Sequence, residues 1–362
     1  METTQSPPTP AGAAETGPAT GPATGRKATV ARYAFVFGFP FVLVMMLVGI
    51  YVGSMHAPAP HDMPVAVVGS GAEAERAVAT LNATDGSPAD ARLVATPQEA
   101  EELLHDRDIA GALALPGAGG ADDGQAVLYT AQAAGASQTM TATQLLTPVA
   151  AGMDLTVVPH EVAPLPEGDM SGVAVMFMGV GMMLSGYMAV TVLSNGAPEL
   201  MTLRRLVPLL IGWGALMSLV IWTLAGPVVG AVSGHTAEIL GIGWLAVVAV
   251  GLTQALLSRL AGPLAVIPGI ALFMFLGVPA SNLALSVHTM PGFFSFLHDV
   301  LPLPAAGESL RAVLYFGGDG AGGHLLTLAA WAAAALLLTA VIDTLRGRKG
   351  ERADAPALAA AS

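Results

Sequence analysis

The chain has no cysteine, two lysines and few charges, with Asp, Glu, Lys and Arg together at 11% of 362 residues. Without cysteine there is no disulfide, so any domain outside the cytoplasm must hold together by its own core. The two lysines are Lys27, after Arg26, and Lys349, after Arg348. Neither follows the glycine of a P-loop, whose backbone N–H groups wrap phosphates. If ATP drives this protein, another chain hydrolyses it. There is no G-x-S-x-G elbow and no Ser/His/Asp grouping in a recognisable order. No enzyme activity and no cofactor are therefore expected. Acidic residues are also scarce inside the long apolar runs, where Glu199, Glu238 and Asp343 fall at or beyond the ends. Proton-coupled carriers place such groups deep in the membrane as relays, and that class loses its support here. Four tryptophans are too few to define an interfacial belt.

What is abundant is long apolar sequence. Hydrophobic residues make up 54% of the chain. Six runs stand out: Tyr33–Val52, Gly172–Ser194, Leu206–Val232, Ile239–Leu257, Leu264–Leu283 and Leu325–Ile342. Each is about 20 residues, enough for a helix to cross a hydrocarbon core about 30 Å thick. Lipid offers the backbone no hydrogen-bond partner, so the runs are expected to be helices. The first has a basic start and a small-residue site at Ala57-Pro58-Ala59. A cleaved signal peptide has an apolar core of about 7–15 residues, however, and this run is longer.

The basic residues sort by side. If all six runs cross, ten share one side: Arg26, Lys27, Arg32, Arg204, Arg205, Arg259, Arg346, Arg348, Lys349 and Arg352. The other side receives Arg76, Arg92, Arg107 and Arg311 and far more loop sequence. Basic residues near span ends stay in the cytoplasm, so both termini are predicted cytoplasmic. The net charge of −12 belongs to the opposite side. Between His56 and Met170 there are sixteen acids and three bases. Such a segment is expected to bind neither nucleic acid nor an anionic lipid surface.

The predicted fold class is a mainly α membrane protein with six transmembrane helices. A small α/β extracytoplasmic domain is inserted between helices one and two. Residues 1–32 are expected to form a disordered tail, being Pro-, Ala-, Gly- and Thr-rich with a repeated Gly-Pro-Ala-Thr. Residues 33–53 form the first span, 54–170 the α/β domain, 171–345 a five-helix domain, and 346–362 a second tail. Within the α/β domain, strands are predicted at Pro64–Gly69, Ala91–Ala95, Ile109–Leu115, Ala126–Thr130 and Leu155–Pro159. Helices are predicted at Ala72–Leu81, Pro97–Asp106 and Ala133–Ala150. Thr96 is the expected N-cap of the second of these. Between the fifth and sixth runs, residues 285–322 are expected outside as a re-entrant or interfacial segment. It has two short helical pieces, Pro291–Leu301 and Glu308–Phe316, separated by Pro302 and Pro304.

Smaller signals are weaker. The eight histidines (His56, His61, His105, His160, His235, His288, His298, His324) match no strong zinc spacing, and no metal site is expected. Methionines 176, 178, 182, 183 and 188 in the second run suit lipid contact or helix packing. Gly226 with Gly230, and Gly181 with Ser185, are spaced for close helix approach.

This arrangement resembles the permease subunit of a type-2 ABC transporter. More narrowly, it is similar to the phage-infection-protein-like branch of bacterial membrane proteins. The likeness rests on PVAVVGS (Pro64–Ser70), DIAGALALP (Asp108–Pro116), GASQTMTATQL (Gly135–Leu145) and, above all, MPGFFSFLHDVLPLPAAGESLRAVLYFGG (Met290–Gly318). The chain departs from it at LGVPASN (Leu276–Asn282). The resemblance implies a plasma-membrane export permease for a hydrophobic or amphipathic molecule. It would work as a homodimer in the lipid bilayer, with each copy docked on a cytoplasmic ATPase subunit. Glu199, Arg204 and Arg205 would form the ATPase-coupling element. Pro291, Phe293, Phe294, Glu308, Arg311 and Tyr315 would form the outer gate, with Glu308 and Arg311 able to pair across one helical turn. The alternative is a non-transporting membrane anchor or receptor, whose external domain binds an envelope partner.

Overall fold

The computed structural model describes residues 22–118 and 124–359. The chain forms two compact units, which meet in sequence between Met45 and Met46. The described part of the first unit is the beginning of helix α1 (Pro22–Met55), and the second unit runs from Met46 onward. The disordered tail expected over 1–32 falls mostly on residues 1–21, outside the described residues. Residues 22–32 are helical instead. Extending an existing helix needs no new nucleus, and the apolar run behind them supplies one. The same reason carries α12 (Ala321–Ala359) through the expected C-terminal tail. Residues 360–362 lie outside the described ones.

A five-stranded sheet follows α1, in the order β2-β1-β3-β4-β5. Its strands are β1 (Met63–Val68), β2 (Ala89–Val94), β3 (Gly111–Ala114), β4 (Gln125–Thr130) and β5 (Thr156–Glu161). β1 runs parallel to β2 and β3, β3 pairs antiparallel with β4, and β4 runs parallel to β5. Three helices connect them: α2 (Ala72–Asn82), α3 (Pro97–His105) and α4 (Ala136–Ala151). Alternation along β1 explains the layers. Val65 and Val67 face α2 and α4, whereas Ala66 and Val68 face α3. With both faces covered, β1 reads as a continuous apolar run. Thr96 caps α3 by accepting from the Glu99 amide at 3.2 Å. The Asn82 side chain ties the end of α2 to both backbone groups of Ala91.

The remaining helices form a bundle. They are α5 (Ala174–Gly196), α6 (Leu203–Thr223), α7 (Thr236–Ala261), α8 (Val266–Ile270), α9 (Gly277–Ala280), α10 (Gly292–Val300), α11 (Pro302–Tyr315) and α12. α7 is the central helix, with every residue from Ala246 to Ala255 buried. Gly186 of α5 lies so close to α7 that a Cβ there would sit 2.5 Å from the Val247 carbonyl oxygen. One turn back, Gly243 of α7 touches Met182, so α5 and α7 run parallel. On α6 the order reverses: Leu210 meets Gly251 and Ser218 meets Gly243, an antiparallel pair. α12 runs with α7, Ala335 packing near Val248 and Asp343 pairing with Arg259.

Five helical stretches are long and apolar enough to cross a membrane: Val36–Met55, Ala174–Gly196, Leu203–Val228, Thr236–Ala280 and Ala321–Arg346. Six runs were expected, and two of them fall in the single stretch Thr236–Ala280. That stretch folds back on itself. Gly262 takes a left-handed φ of 57°, and beyond it the Gln254 side chain donates to the Ala265 carbonyl at 3.3 Å. The returning limb is not the regular helix predicted over Leu264–Leu283. It passes through a 3-10 turn, α8, a π-helical segment at Ala271–Leu276 and α9. α6 also ends in a π-helical turn, Leu224–Val228. Gly230, at φ 80°, lies beyond that turn, so Gly226 and Gly230 do not form the expected helix-packing pair. Gly181 does face α6, at Ile221. Met178, Met182 and Met183 fill the core, while Met188 points outward.

The segment before α12 is a helical hairpin, α10–α11. The prolines expected to separate two helices instead open the second one. Pro302 and Pro304 occupy the first turn of α11, where a missing N–H removes no helical bond. α11 is buried almost throughout, from Pro302 to Val313. Its far end reaches the sheet, where Phe316 packs against Ala66, Val68 and Leu104.

Candidate functional site at the junction of sheet domain and bundle

The turn after α3 carries Asp106, Arg107 and Asp108 toward the bundle. Arg107 adopts a left-handed φ of 66°, uncommon for a non-glycine residue. Its Nη1 donates to Glu308 Oε2 at 2.8 Å, and its Nη2 donates to the Asp319 carbonyl at 3.0 Å. Its guanidinium also lies 5.4 Å from the Phe316 ring centre. Glu308, in the middle of α11, is 4% exposed. One turn on, Arg311 Nη1 donates to the other carboxylate oxygen of Glu308. Arg311 Nη2 donates to the Asn282 carbonyl at 2.9 Å, and Asn282 Nδ2 to Glu308 Oε1 at 3.3 Å. Asn282 Oδ1 in turn accepts from the Val287 amide. A buried carboxylate therefore sits between two guanidinium groups.

Burial alone would raise the Glu308 carboxyl. Arg311, His298 and Arg107 outweigh it and hold the group below its ordinary value. Glu308 is thus the anion that the two arginines require. A cleft of ≈ 440 Å³ opens beside the triad, lined also by Gln138, His288, His298, Asp299 and His324. Burial, helped by His298, pushes His288 below its ordinary range, so it is neutral at pH 7. His298 Nδ1 lies 2.8 Å from the Ala280 carbonyl oxygen. Among the described residues, three possible metal ligands come within 4.8 Å of one another at His105, Asp106 and Asp319, all exposed.

The expected outer-gate residues divide. Glu308 and Arg311 are joined in the triad, and Tyr315 follows one turn later on the same helix. Pro291 caps α10, Phe294 is buried against Ala280 and Leu301, and Phe293 points outward. The sequence reading missed Arg107 and Asn282, the groups that complete the triad. Arg107 carries no local signal, since it reads as one charge in a surface turn.

The other end of the bundle holds the expected coupling residues. Glu199 lies in the short turn Pro198–Leu200, and Arg204 and Arg205 open α6. All three are exposed, and Arg205 Nη1 donates to the Glu199 carbonyl at 3.2 Å. Beside them is a cleft of ≈ 590 Å³ lined by Asn195, Thr202, Arg259, Asp343 and Arg346. Arg259 bridges Asp343 at 2.8 Å and donates to the Met201 carbonyl, while Arg346 donates to the Arg259 carbonyl. Arg204, Arg205, Arg259 and Arg346 thus gather at the end away from the sheet domain. This grouping is the spatial form of the charge asymmetry in the sequence.

Comparison with known proteins finds no family model, no curated protein and no solved structure that matches this chain.

Proposed function

We propose that this chain is the membrane permease subunit of an ABC-type exporter for a hydrophobic or amphipathic molecule. It crosses the membrane six times and keeps both termini in the cytoplasm. The reversal at Gly262 supports counting Thr236–Ala280 as two crossings. The alternating directions of α5, α6 and α7, with α12 parallel to α7, support the same count. The arginine-rich end supports the orientation, and the exposed Glu199–Arg205 turn there offers a docking surface for a cytoplasmic ATPase. Large apolar side chains such as Phe177, Val192, Leu216, Leu224 and Leu337 are exposed on the bundle, as lipid-facing groups are.

The observation that carries the reading is α11. It has 14 residues, too few to cross, yet it is buried on nearly every side and ion-paired to the domain above it. A passive anchor needs no such plug, whereas a gate at the outer mouth does. The Arg107–Glu308 link also suits a receptor that transmits binding at its external domain, and that is the second reading.

Copurification from native membranes separates the two. The export reading expects an ATPase to accompany the chain, its turnover to rise on binding, and Arg204→Glu with Arg205→Glu to abolish both. A chain that holds no ATPase, while its external domain captures an envelope component, contradicts export.

A further inference from the structure

A second cavity, of ≈ 260 Å³, lies next to the triad. It is enclosed by the first turn of α4, the Asn282–Ser286 loop, the end of α11 and the segment leading into α5. It shares Gln138, Asn282 and Arg311 with the larger cleft. Its polar side is under-satisfied. Ser286 is 1% exposed, and its Oγ has no hydrogen-bond partner among the described residues. Gln138 is 8% exposed, and its side-chain amide bonds to no described residue. α4 begins at Gly135 with no side-chain cap, so its first-turn amides have no acceptor within the helix. Ser137 Oγ accepts from the Ser286 amide at 3.2 Å and pins the loop to this turn.

A buried polar group without a partner opposes folding, so Ser286 Oγ held unpaired at the wall of a cavity, beside the open α4 N-terminus, points to a ligand that satisfies it. The α4 N-terminus offers backbone amides that can only donate, Ser286 and Gln138 can each donate, and Arg311, already paired with Glu308, keeps further N–H groups beside them. This combination selects an anion. The Asp169 carboxylate lies outside the lining; it accepts from the amides of Val173 and Ala174 and interacts with the hydroxyl of Tyr315, which does line the cavity. The facing wall is apolar, formed by Leu165, Val175, Met176 and Leu283.

We propose that this cavity binds a small anionic amphiphile. Its carboxylate or phosphate head would sit on the α4 N-terminus, Ser286, Gln138 and Arg311, and its short apolar chain would lie against Leu165 and Met176. The site goes beyond the export reading and needs no ATPase, so failure of one leaves the other standing.

The test uses the full chain in nanodiscs of zwitterionic lipid, with octanoate as probe and thermal unfolding as readout. Octanoate should raise the unfolding temperature saturably. Octylammonium, with the same chain and opposite charge, should not, and neither should inorganic phosphate alone. Ser286→Ala with Gln138→Leu should weaken octanoate binding at least tenfold, while the unliganded protein melts no lower than the parent. Should the double variant fold poorly, Ser286→Ala alone, which removes one unpartnered atom, should weaken binding about fivefold. Equal stabilisation by octylammonium, saturable binding of phosphate alone, or variants that bind octanoate like the parent would each overturn the assignment.

Discussion

Arg107 and Glu308 are 201 residues apart in the chain and 2.8 Å apart in space. Their contact fastens the turn after α3 to the middle of α11. With Arg311 on the other carboxylate oxygen, neither arginine has a replacement anion among its hydrogen-bond partners. Glu308→Gln therefore leaves two guanidinium groups without their counter-charge. The expected loss is about 3–5 kcal/mol, the range for breaking a buried pair from one side. Arg107→Ala keeps the Arg311–Glu308 pair and should lose less, while loosening the sheet domain from the bundle. Thermal unfolding of the purified chain measures the first effect. Faster proteolysis of the 162–173 connection measures the second.

Acid should act on this junction in two steps. His288 is held below its ordinary value by burial, so its contribution is complete above about pH 6.5 and declines as pH falls below that. The Glu308 carboxyl is also depressed. Its contribution is complete above about pH 4.3 and is lost only as pH falls through the lower folded value. Melting temperature against pH should thus fall first below about pH 6.5 and again below about pH 4.3. His288→Gln should shrink the first step, and Glu308→Gln the second. A profile level from pH 7 down to pH 5 contradicts the His288 assignment.

Helix approach at Gly186 sets the spacing of α5 and α7. A methyl group there would meet the Val247 carbonyl oxygen at 2.5 Å and the Gly251 amide nitrogen at 3.0 Å, both backbone atoms that cannot swing aside. Gly186→Ala should cost about 1–3 kcal/mol, the range for overpacking. Gly241→Ala is the control. Nothing lies within 4 Å of its Cβ, and alanine should add about 1 kcal/mol of helix propensity. Equal melting of the two variants would contradict the packing described.

The sheet domain was legible because its signals are local. Thr96 before Pro97 marks the start of α3, and the apolar PVAVVG run marks β1; each strand and helix was placed within a few residues of where it lies. Pro302 and Pro304 misled for an equally local reason, since proline in isolation reads as a break and in a first helical turn it is harmless. The apolar runs gave length but not shape. Nothing in the composition of Ala271–Leu276 distinguishes a π-helical segment from an α-helix, and the long-range contact it makes, Phe273 against Tyr187 of α5, has no local signal. The triad was half visible. Glu308 and Arg311 are spaced for a pair, but Arg107 joins them across the fold, and no periodicity links positions so distant.

The proposed six-crossing arrangement underlies the functional reading, and the absence of cysteine makes it directly measurable. Single cysteines at Asp90, Ser233, Glu199 and Arg346, probed in intact cells with a membrane-impermeant thiol reagent, report on both sides. The account predicts labelling at positions 90 and 233, and protection at 199 and 346 until the cells are opened. Labelling of 199 or 346 in intact cells, with 90 protected, would contradict it.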